Sequence, residues 1–533
     1  MKFRFFFLIA IFSLLYGALG ANLYRLQIEK GAYYVSKVKA MEEINTELQL
    51  RRGQIFITDR SGTQIPVALN KDYPVIFVAP SEVSDPKTLS SEIAGPLGLD
   101  KAVLEKTIKD NAKSSFRLLI DKATPEQISF VTENRPEGIH IDAKQYRFYP
   151  YQKLASQLIG FVGVNKDTSG PVGLYGLEKF YNSELEKGND VHLTIDRNIQ
   201  AQAEQILGAT MAKYGATGGT ALVEDPITGT ILALVNVPGF DPNNYGAFPI
   251  KDFLNPAVSS IYEPGSVFKP FTMSAGIDLG VITPQTTYTD KGYVTLDGWT
   301  IHNAEDKVWG KITMTNVIEH SVNTGAVFVE QQIGRSNFYD YMKKFGFDEK
   351  TGIDLTDEVT GSIQKLTDPR TKEVNFATIS FGQGVAVTPI QLISAFSSIA
   401  NGGLLMRPYM NGDTAPYVVR RIMSGETSNE MTKMLISTVD KAFVAAIPQY
   451  NVAGKTGTAY IPDFEKGGYS EQMIHTFVGF APASNPRFVI LMKLDKPQVG
   501  ELAGLTVVPA FRELAQFILN YYNITPDRIS NQP

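Results

Sequence analysis

The chain has 533 residues, 43% hydrophobic and 20% charged, a composition typical of globular proteins with two or three domains. Its net charge of −5 gives no indication of a nucleic-acid partner. The sequence contains no cysteine, which excludes disulfides and thiol nucleophiles, and no two of its five histidines have metal-ligand spacing. We therefore expect neither a metal nor a cofactor.

The first predicted element is a membrane anchor. Lys2 and Arg4 precede an apolar run from Phe5 to Leu23, which at ~1.5 Å per residue spans about 28 Å as a helix. We predict a cytoplasmic tail at 1–4 and a transmembrane segment at 5–25, with the remainder outside the cytoplasmic (inner) membrane. A signal peptide cleaved after Gly20 is the alternative.

Residues 26–190 form the first predicted domain. Short helices with polar faces are predicted at Pro86–Leu97, Asp100–Asn111 and Pro125–Asn134, and a strand at Gly138–Tyr149. No group of catalytic side chains is visible here. We interpret this region as a pedestal that supports another domain.

The second predicted domain covers residues 191–525, followed by a tail at 526–533. Its pattern predicts two β-hairpins, with helices before, between and after them. The elements are a strand at Val191–Ile195, a helix at Asn198–Lys213, hairpins at Thr220–Asp225 with Thr230–Val235 and at His475–Phe480 with Phe488–Leu494, and a helix at Thr506–Asn523. This order predicts an α+β domain whose antiparallel sheet is flanked by helices.

A serine–lysine pair opens one of these helices. Pro264-Gly265 predicts a turn, and the apolar spacing that follows places Ser266 near a helix N-terminus. Lys269 lies one helical turn later, so its amine can reach the Ser266 hydroxyl. A lysine with a lowered pKa can take the serine proton, and backbone N–H groups at the helix start can stabilise an oxyanion. The pair predicts acyl-transfer chemistry.

The Ser-x-x-Lys pattern alone is weak, because it also occurs at residues 36–39 and 362–365. A second motif, Ser321-Val-Asn323, precedes a predicted helix and is the only Ser-x-Asn in the chain. A serine hydroxyl can relay a proton and an asparagine amide can hold a peptide group. Helix capping is the alternative interpretation of this motif.

Lys-Thr-Gly occurs twice in the sequence. The copy at Lys350 follows a polar turn, and we expect it to be structural. The copy at Lys455 lies in a predicted strand of small residues, against which a substrate backbone can pack. Lys455 supplies positive potential there, and we expect Thr456, Gly457 and Thr458 to bind a carboxylate-bearing substrate.

The three motifs at 266, 321 and 455 resemble, in their order, those of penicillin-binding proteins and serine β-lactamases. Flanking sequences are similar to class B penicillin-binding proteins over about residues 45–520. They are Arg51–Ile55, Gly173–Glu178, Tyr262–Thr272, Phe381–Leu392 and Phe477–Pro482. The resemblance implies a transpeptidase domain after a dimerisation-type pedestal, without a glycosyltransferase domain.

The resemblance also implies a reaction, peptidoglycan D,D-transpeptidation, and roles for the motif residues. Ser266 attacks the donor stem peptide, Lys269 takes its proton, Ser321 relays a proton and Asn323 holds the peptide amide. The terminal carboxylate is bound by Lys455, Thr456 and Thr458. The backbone N–H groups of Ser266 and Thr458 form the oxyanion hole.

The implied partners are peptidoglycan stem peptides, β-lactam antibiotics, the membrane, a membrane-embedded glycan polymerase and division proteins. Two other functions remain open at this stage. One is a hydrolase, either a D,D-carboxypeptidase or a β-lactamase. The other is a membrane-bound β-lactam sensor or scaffold without enzymatic activity. Within the transpeptidase interpretation we favour septal over lateral wall synthesis.

Overall fold

The computed structural model describes residues 2–25, 28, 30, 51–164, 171–368, 370–463 and 465–528, except for the side chains of residues 2–11 and 13. The helices are α1 (Lys2–Tyr24), α2 (Pro86–Leu97), α3 (Lys101–Asp110), α4 (Pro125–Asn134), α5 (Ser156–Ile159), α6 (Gly176–Phe180), α7 (Asn182–Glu186), α8 (Arg197–Tyr214), α9 (Pro256–Ser259), α10 (Lys269–Asp278), α11 (Met314–Glu319), α12 (Asn323–Ile333), α13 (Arg335–Lys344), α14 (Glu373–Ile379), α15 (Pro389–Ala400), α16 (Gly425–Ala442) and α17 (Ala503–Tyr521).

The strands follow the same numbering. They are β1 (Ile55–Thr58), β2 (Ile65–Val78), β3 (Arg117–Ile120), β4 (Ile139–Phe148), β5 (Val162–Val164), β6 (Pro171–Gly173), β7 (Val191–Asp196), β8 (Gly218–Glu224), β9 (Ile231–Val237), β10 (Thr287–Asp290), β11 (Tyr293–Leu296), β12 (Trp299–His302), β13 (Gly310–Thr313), β14 (Leu404–Met406), β15 (Val418–Arg421), β16 (Ala453–Pro462), β17 (Tyr469–Ala481) and β18 (Phe488–Asp495).

Two compact units make up the chain, and the smaller is built around Leu69–Phe148. Within it, β2 pairs antiparallel with β3 on one side and with β4 on the other. Ile76 and Val78 from β2 pack with Ile93 and Leu104 from α2 and α3, so these helices cover one face of the sheet. The predicted helices and the predicted strand of this region are all present.

Helix starts in this unit are fixed by local chemistry. The Asp85 side chain accepts the N–H groups of Lys87 and Thr88 at the start of α2. Thr124 and Gln127 form a reciprocal capping box at the start of α4. Each helix has proline in its first turn, where the missing N–H costs nothing.

The larger unit comprises Gly53–Ala68, Tyr149–Leu185 and Asn189–Pro533. Its main sheet has five antiparallel strands in the order β16-β17-β18-β8-β9. Both predicted hairpins belong to this one sheet, which confirms the α+β prediction for this domain.

The sheet separates two apolar layers because successive strand residues point to opposite faces. On β8, Leu222 packs into the layer that contains α10, α12 and α15. Its neighbour Val223 packs on the other side with α8 and α17. β16 is an edge strand of this sheet, which leaves one of its sides open for a further extended segment.

The predicted membrane segment coincides with α1 in its backbone, but the side chains of residues 5–11 and 13 lie outside the described residues. In the part of the chain that the structure describes, no helix is sufficiently long and apolar to cross a membrane. Residues 529–533 of the predicted tail also lie outside the described residues.

Candidate active site

The turn that carries Ser266 is compressed between two neighbouring segments. Residues Gly265–Phe268 form one 3-10 turn that leads directly into α10. Gly265 has a φ of 60°, and a Cβ atom there would lie 3.0 Å from the Thr458 carbonyl oxygen. On the other side, the Gly265 N–H donates to the Gly382 carbonyl. Glycine is therefore required before Ser266, both for its backbone conformation and for this close approach.

Ser321 lies in the short connection between α11 and α12, and its backbone has a φ of 57°. This left-handed conformation is costly for a residue with a side chain. The chain leaves α11 through a tight turn in which the N–H groups of Ser321 and Val322 bond back to Ile318 and Val317. This tight turn therefore fixes the backbone from which the Ser321 hydroxyl projects.

The side-chain amine of Lys269 connects the first two motifs. Its Nζ lies 3.0 Å from Ser266 Oγ, 3.1 Å from Ser321 Oγ and 2.8 Å from Asn323 Oδ1. It also donates to the carbonyl oxygen of Ser321. The Asn323 amide nitrogen in turn donates to the His302 carbonyl at 2.9 Å, which fixes the orientation of this amide.

Lys455 brings the third motif to the same point. Its Nζ lies 3.0 Å from Ser321 Oγ, so this one hydroxyl lies between the two lysines. Only 1% of Lys269 and 1% of Lys455 is exposed, whereas Ser266 and Ser321 are partly exposed. A ligand can thus reach both hydroxyls while the two amines remain shielded from bulk water.

The environment lowers the pKa of both lysines. Burial lowers the pKa of Lys269 well below its usual range, and repulsion from the nearby Lys455 charge adds to this effect. Burial alone lowers the pKa of Lys455 to about 7. Removal from water disfavours the charged form of each amine, and a second cation close by disfavours it further. An amine of this kind can accept a proton from a hydroxyl near neutral pH.

The residues after Lys455 bring the edge strand against the Ser266 turn. A Cβ atom at Gly457 would lie 2.5 Å from the Pro264 carbonyl oxygen, so glycine is required for this contact. Thr456 and Thr458 are partly exposed. The Thr458 hydroxyl accepts the N–H of Ala503 at 3.2 Å and still has its own proton to donate. All eight residues predicted for the site thus lie on segments that converge on Ser266.

The comparisons with known proteins agree with this geometry. Residues 219–516 match the family described as the penicillin binding protein transpeptidase domain. This chain belongs to that family. Residues 48–213 match a second family, the penicillin-binding protein dimerisation domain.

Relatives of this penicillin-binding protein match it over most of its length. Stage V sporulation protein D of Bacillus subtilis is 32% identical over 92% of this chain and 81% of its own length. The probable peptidoglycan D,D-transpeptidase PbpC of Pseudomonas aeruginosa is 29% identical over 100% of this chain and 97% of its own length. Peptidoglycan D,D-transpeptidase FtsI of Escherichia coli K12 is 26% identical over 94% of this chain and 91% of its own length.

Two other copies of the motifs, at residues 350–352 and 362–365, do not join the site of this penicillin-binding protein. Lys350 is exposed, and the Thr351 hydroxyl donates to Glu358 at 2.6 Å, which makes this copy of Lys-Thr-Gly part of a turn. Ser362 pairs through its backbone with Ala386. The Ser-x-x-Lys copy at 36–39 lies outside the described residues.

Sequence reasoning missed Glu263, which borders the Ser266 turn. One of its carboxylate oxygens accepts the Gly384 N–H at 2.9 Å, and the other accepts the Tyr469 hydroxyl at 3.0 Å. Burial raises the pKa of the Glu263 carboxyl. Glu263 thereby ties the hairpin of β16 and β17 to the segment that approaches Gly265. Its position three residues before Ser266 was the one available signal.

Proposed function

We propose that this chain is a peptidoglycan D,D-transpeptidase that cross-links stem peptides through an acyl-enzyme on Ser266. The observation that carries the proposal is the contact of Ser266 Oγ with the Nζ of a buried lysine whose pKa is lowered. Membership in the penicillin-binding protein transpeptidase family and the names of the relatives support the reaction.

The first half of the reaction forms the acyl-enzyme. Neutral Lys269 takes the Ser266 proton as Oγ attacks the carbonyl carbon of the penultimate D-Ala. The backbone N–H groups of Ser266 and Thr458 stabilise the oxyanion. Ser321, in contact with both lysines, passes a proton to the leaving nitrogen, and terminal D-Ala departs as an amine.

The second half transfers the acyl group. An amine on a neighbouring stem peptide attacks the ester carbon, its proton returns through the same network, and Ser266 Oγ leaves with a proton. The product is a new amide, which cross-links two strands. Asn323 holds the donor amide, and Lys455, Thr456 and Thr458 hold its terminal carboxylate until it leaves. A β-lactam acylates Ser266 by the same first half of the reaction, and the ester that it forms is stable.

The domain organisation and location belong to the same proposal. A tail at 1–4 and an anchor at 5–25 precede a pedestal at 26–190 and a transpeptidase domain at 191–525, with a tail at 526–533. The anchor holds the catalytic domain outside the cytoplasmic membrane. A membrane-embedded glycan polymerase supplies the strands. We place the enzyme in septal wall synthesis.

An exchange assay tests the reaction. The full chain in detergent is given a synthetic stem pentapeptide that ends in D-Ala-D-Ala, together with a labelled D-amino acid. A transpeptidase incorporates the label into the peptide, and Ser266→Ala abolishes incorporation. Release of D-Ala into water without incorporation would instead identify a carboxypeptidase.

A further inference from the structure

A ladder of lysine and tyrosine side chains crosses the sheet of the smaller unit. Lys71 Nζ lies 4.9 Å from the ring centre of Tyr73, and Lys144 Nζ lies 5.5 Å from that of Tyr146. Lys122 Nζ lies between them, 5.1 Å from the Tyr73 ring and 4.9 Å from the Tyr146 ring. The two rings contact each other edge to face at 5.9 Å. We call these five residues the lysine–tyrosine ladder.

Strand register places the four ladder residues of β2 and β4 on the face of the sheet opposite the one that Ile76 and Val78 present to the helices. Lys71 pairs with Tyr146, and Tyr73 pairs with Lys144. Ile76, which points to the other face, packs in the core with the helices. Lys71 and Lys122 are exposed, and Lys144 and both tyrosines are partly exposed. A ligand in solution can therefore reach all three ammonium groups.

Among the residues that the structure describes, no carboxylate forms an ion pair within 4.0 Å with any of these three lysines. Asp72 follows Lys71 on the opposite face of β2 and accepts from Gln145, whereas the Asp142 carboxylate accepts from the N–H of Ala143. The ladder is thus a row of positive charge in a chain whose net charge is −5.

This arrangement favours an anion. Each tyrosine ring has two ammonium groups around it, and these like charges repel each other until an anion lies between them. The ring contacts also order side chains that are otherwise flexible, which reduces the entropy lost when a ligand binds. Weak contacts of this kind gain affinity when one ligand presents several anions together.

We infer that the ladder binds the stem-peptide carboxylates of a peptidoglycan strand at a place separate from the transpeptidase site. The inference rests on the proposed function, which makes this polymer the substrate. Stem peptides branch repeatedly from a glycan and end in carboxylates, so a strand presents several anions to the cluster of ammonium groups. The smaller unit would then hold a strand while the larger unit cross-links it.

Co-sedimentation tests the inference. The full chain in detergent, with its active site blocked by penicillin, is mixed with peptidoglycan sacculi stripped of protein and attached polymers. The test variant is Lys71→Gln/Lys122→Gln/Lys144→Gln. The matched control, Lys87→Gln/Lys101→Gln/Lys106→Gln, removes the same charge from exposed lysines on the helices of the same unit. A third variant replaces the ladder lysines with arginine, which keeps the charge and the ring contacts.

The ladder variant is expected to bind sacculi about tenfold more weakly than wild type, whereas the control and the arginine variant bind normally. Equal binding by the ladder variant, or an equal loss in the control, would overturn the inference. Loss of binding to vesicles with anionic headgroups, with sacculus binding retained, would also overturn it and identify a lipid site. Before the active site is blocked, labelling with fluorescent penicillin shows whether the transpeptidase site is functional. An unlabelled chain would contradict the proposed function, independently of the result for sacculus binding.

Discussion

The Nζ atom of Lys269 lies 3.0 Å from the Oγ atom of Ser266, and the lysine is almost completely buried. The same amine contacts Ser321 and Asn323, so it connects the nucleophile to the groups that act on the leaving nitrogen. The proposed reaction depends on the contact between Lys269 and Ser266, because a serine hydroxyl without a proton acceptor is a poor nucleophile.

Lys269→Met tests the proposed base. The variant keeps an unbranched side chain of similar length but cannot accept a proton, so the rate of acylation by fluorescent penicillin should fall by about 10²–10⁴-fold. Lys350→Met is the matched control, since it alters the exposed lysine of the other Lys-Thr-Gly copy. Near-normal acylation of Lys269→Met would exclude Lys269 as the base.

The pH dependence of acylation should report the lowered pKa of Lys269. Only the neutral amine accepts a proton, so the acylation rate falls as pH falls through the pKa of Lys269. This acid limb of the pH–rate profile lies well below the pKa range of an ordinary lysine. Lys455→Ala removes a repelling positive charge, so the pKa of Lys269 rises and the limb moves to higher pH. Acylation rates measured from pH 5 to 10 test this. An unmoved limb would contradict the predicted coupling.

Two substitutions at Ser321 separate its hydroxyl from its backbone strain. Both Ser321→Ala and Ser321→Gly remove the group between the two lysines, so acylation should slow by about 10²-fold in each. Glycine tolerates the φ of 57°, so Ser321→Gly should be more stable to unfolding than Ser321→Ala by about 1 kcal/mol. Thermal unfolding measures this difference. Wild-type acylation in either variant would remove Ser321 from the mechanism.

Glu263 is expected to position the Ser266 turn without contacting the substrate. Glu263→Ala removes the acceptor for the Gly384 N–H and the Tyr469 hydroxyl, and acylation should slow by about tenfold. Glu263→Gln keeps an acceptor for Gly384 and should restore most of the rate. Tyr469→Phe should have a smaller effect because the bond to Gly384 remains. If alanine and glutamine are equally slow, a positioning role is wrong.

Local patterns predicted much of the fold. Helices α2 and α4 begin and end at the predicted residues because proline and a capping side chain fix each start. The 14-residue strand β2 was not predicted, since its pattern is interrupted by Asn70-Lys-Asp72 and Pro74. In the folded chain, the Pro74 carbonyl accepts the N–H of Ala123, a contact that no local pattern reveals.

The site was predictable where chemistry fixes residue types in order. The motifs at Ser266, Ser321 and Lys455 come together as expected. Glu263 contacts Gly384, which is 121 positions away in the sequence, and Tyr469, which is 206 positions away. These contacts therefore depend on the tertiary fold. The left-handed backbone conformation of Ser321 also could not be predicted from the sequence, because serine has no strong intrinsic preference for this conformation.

The most direct test of the central claim is the site of acylation. The full chain and Ser266→Ala are each treated with penicillin, and intact-mass spectrometry with peptide mapping locates the adduct. The account predicts one penicilloyl group per wild-type chain, on the peptide that contains Ser266, and none on a folded Ser266→Ala chain. An adduct on another serine, or one that persists in the variant, would contradict it.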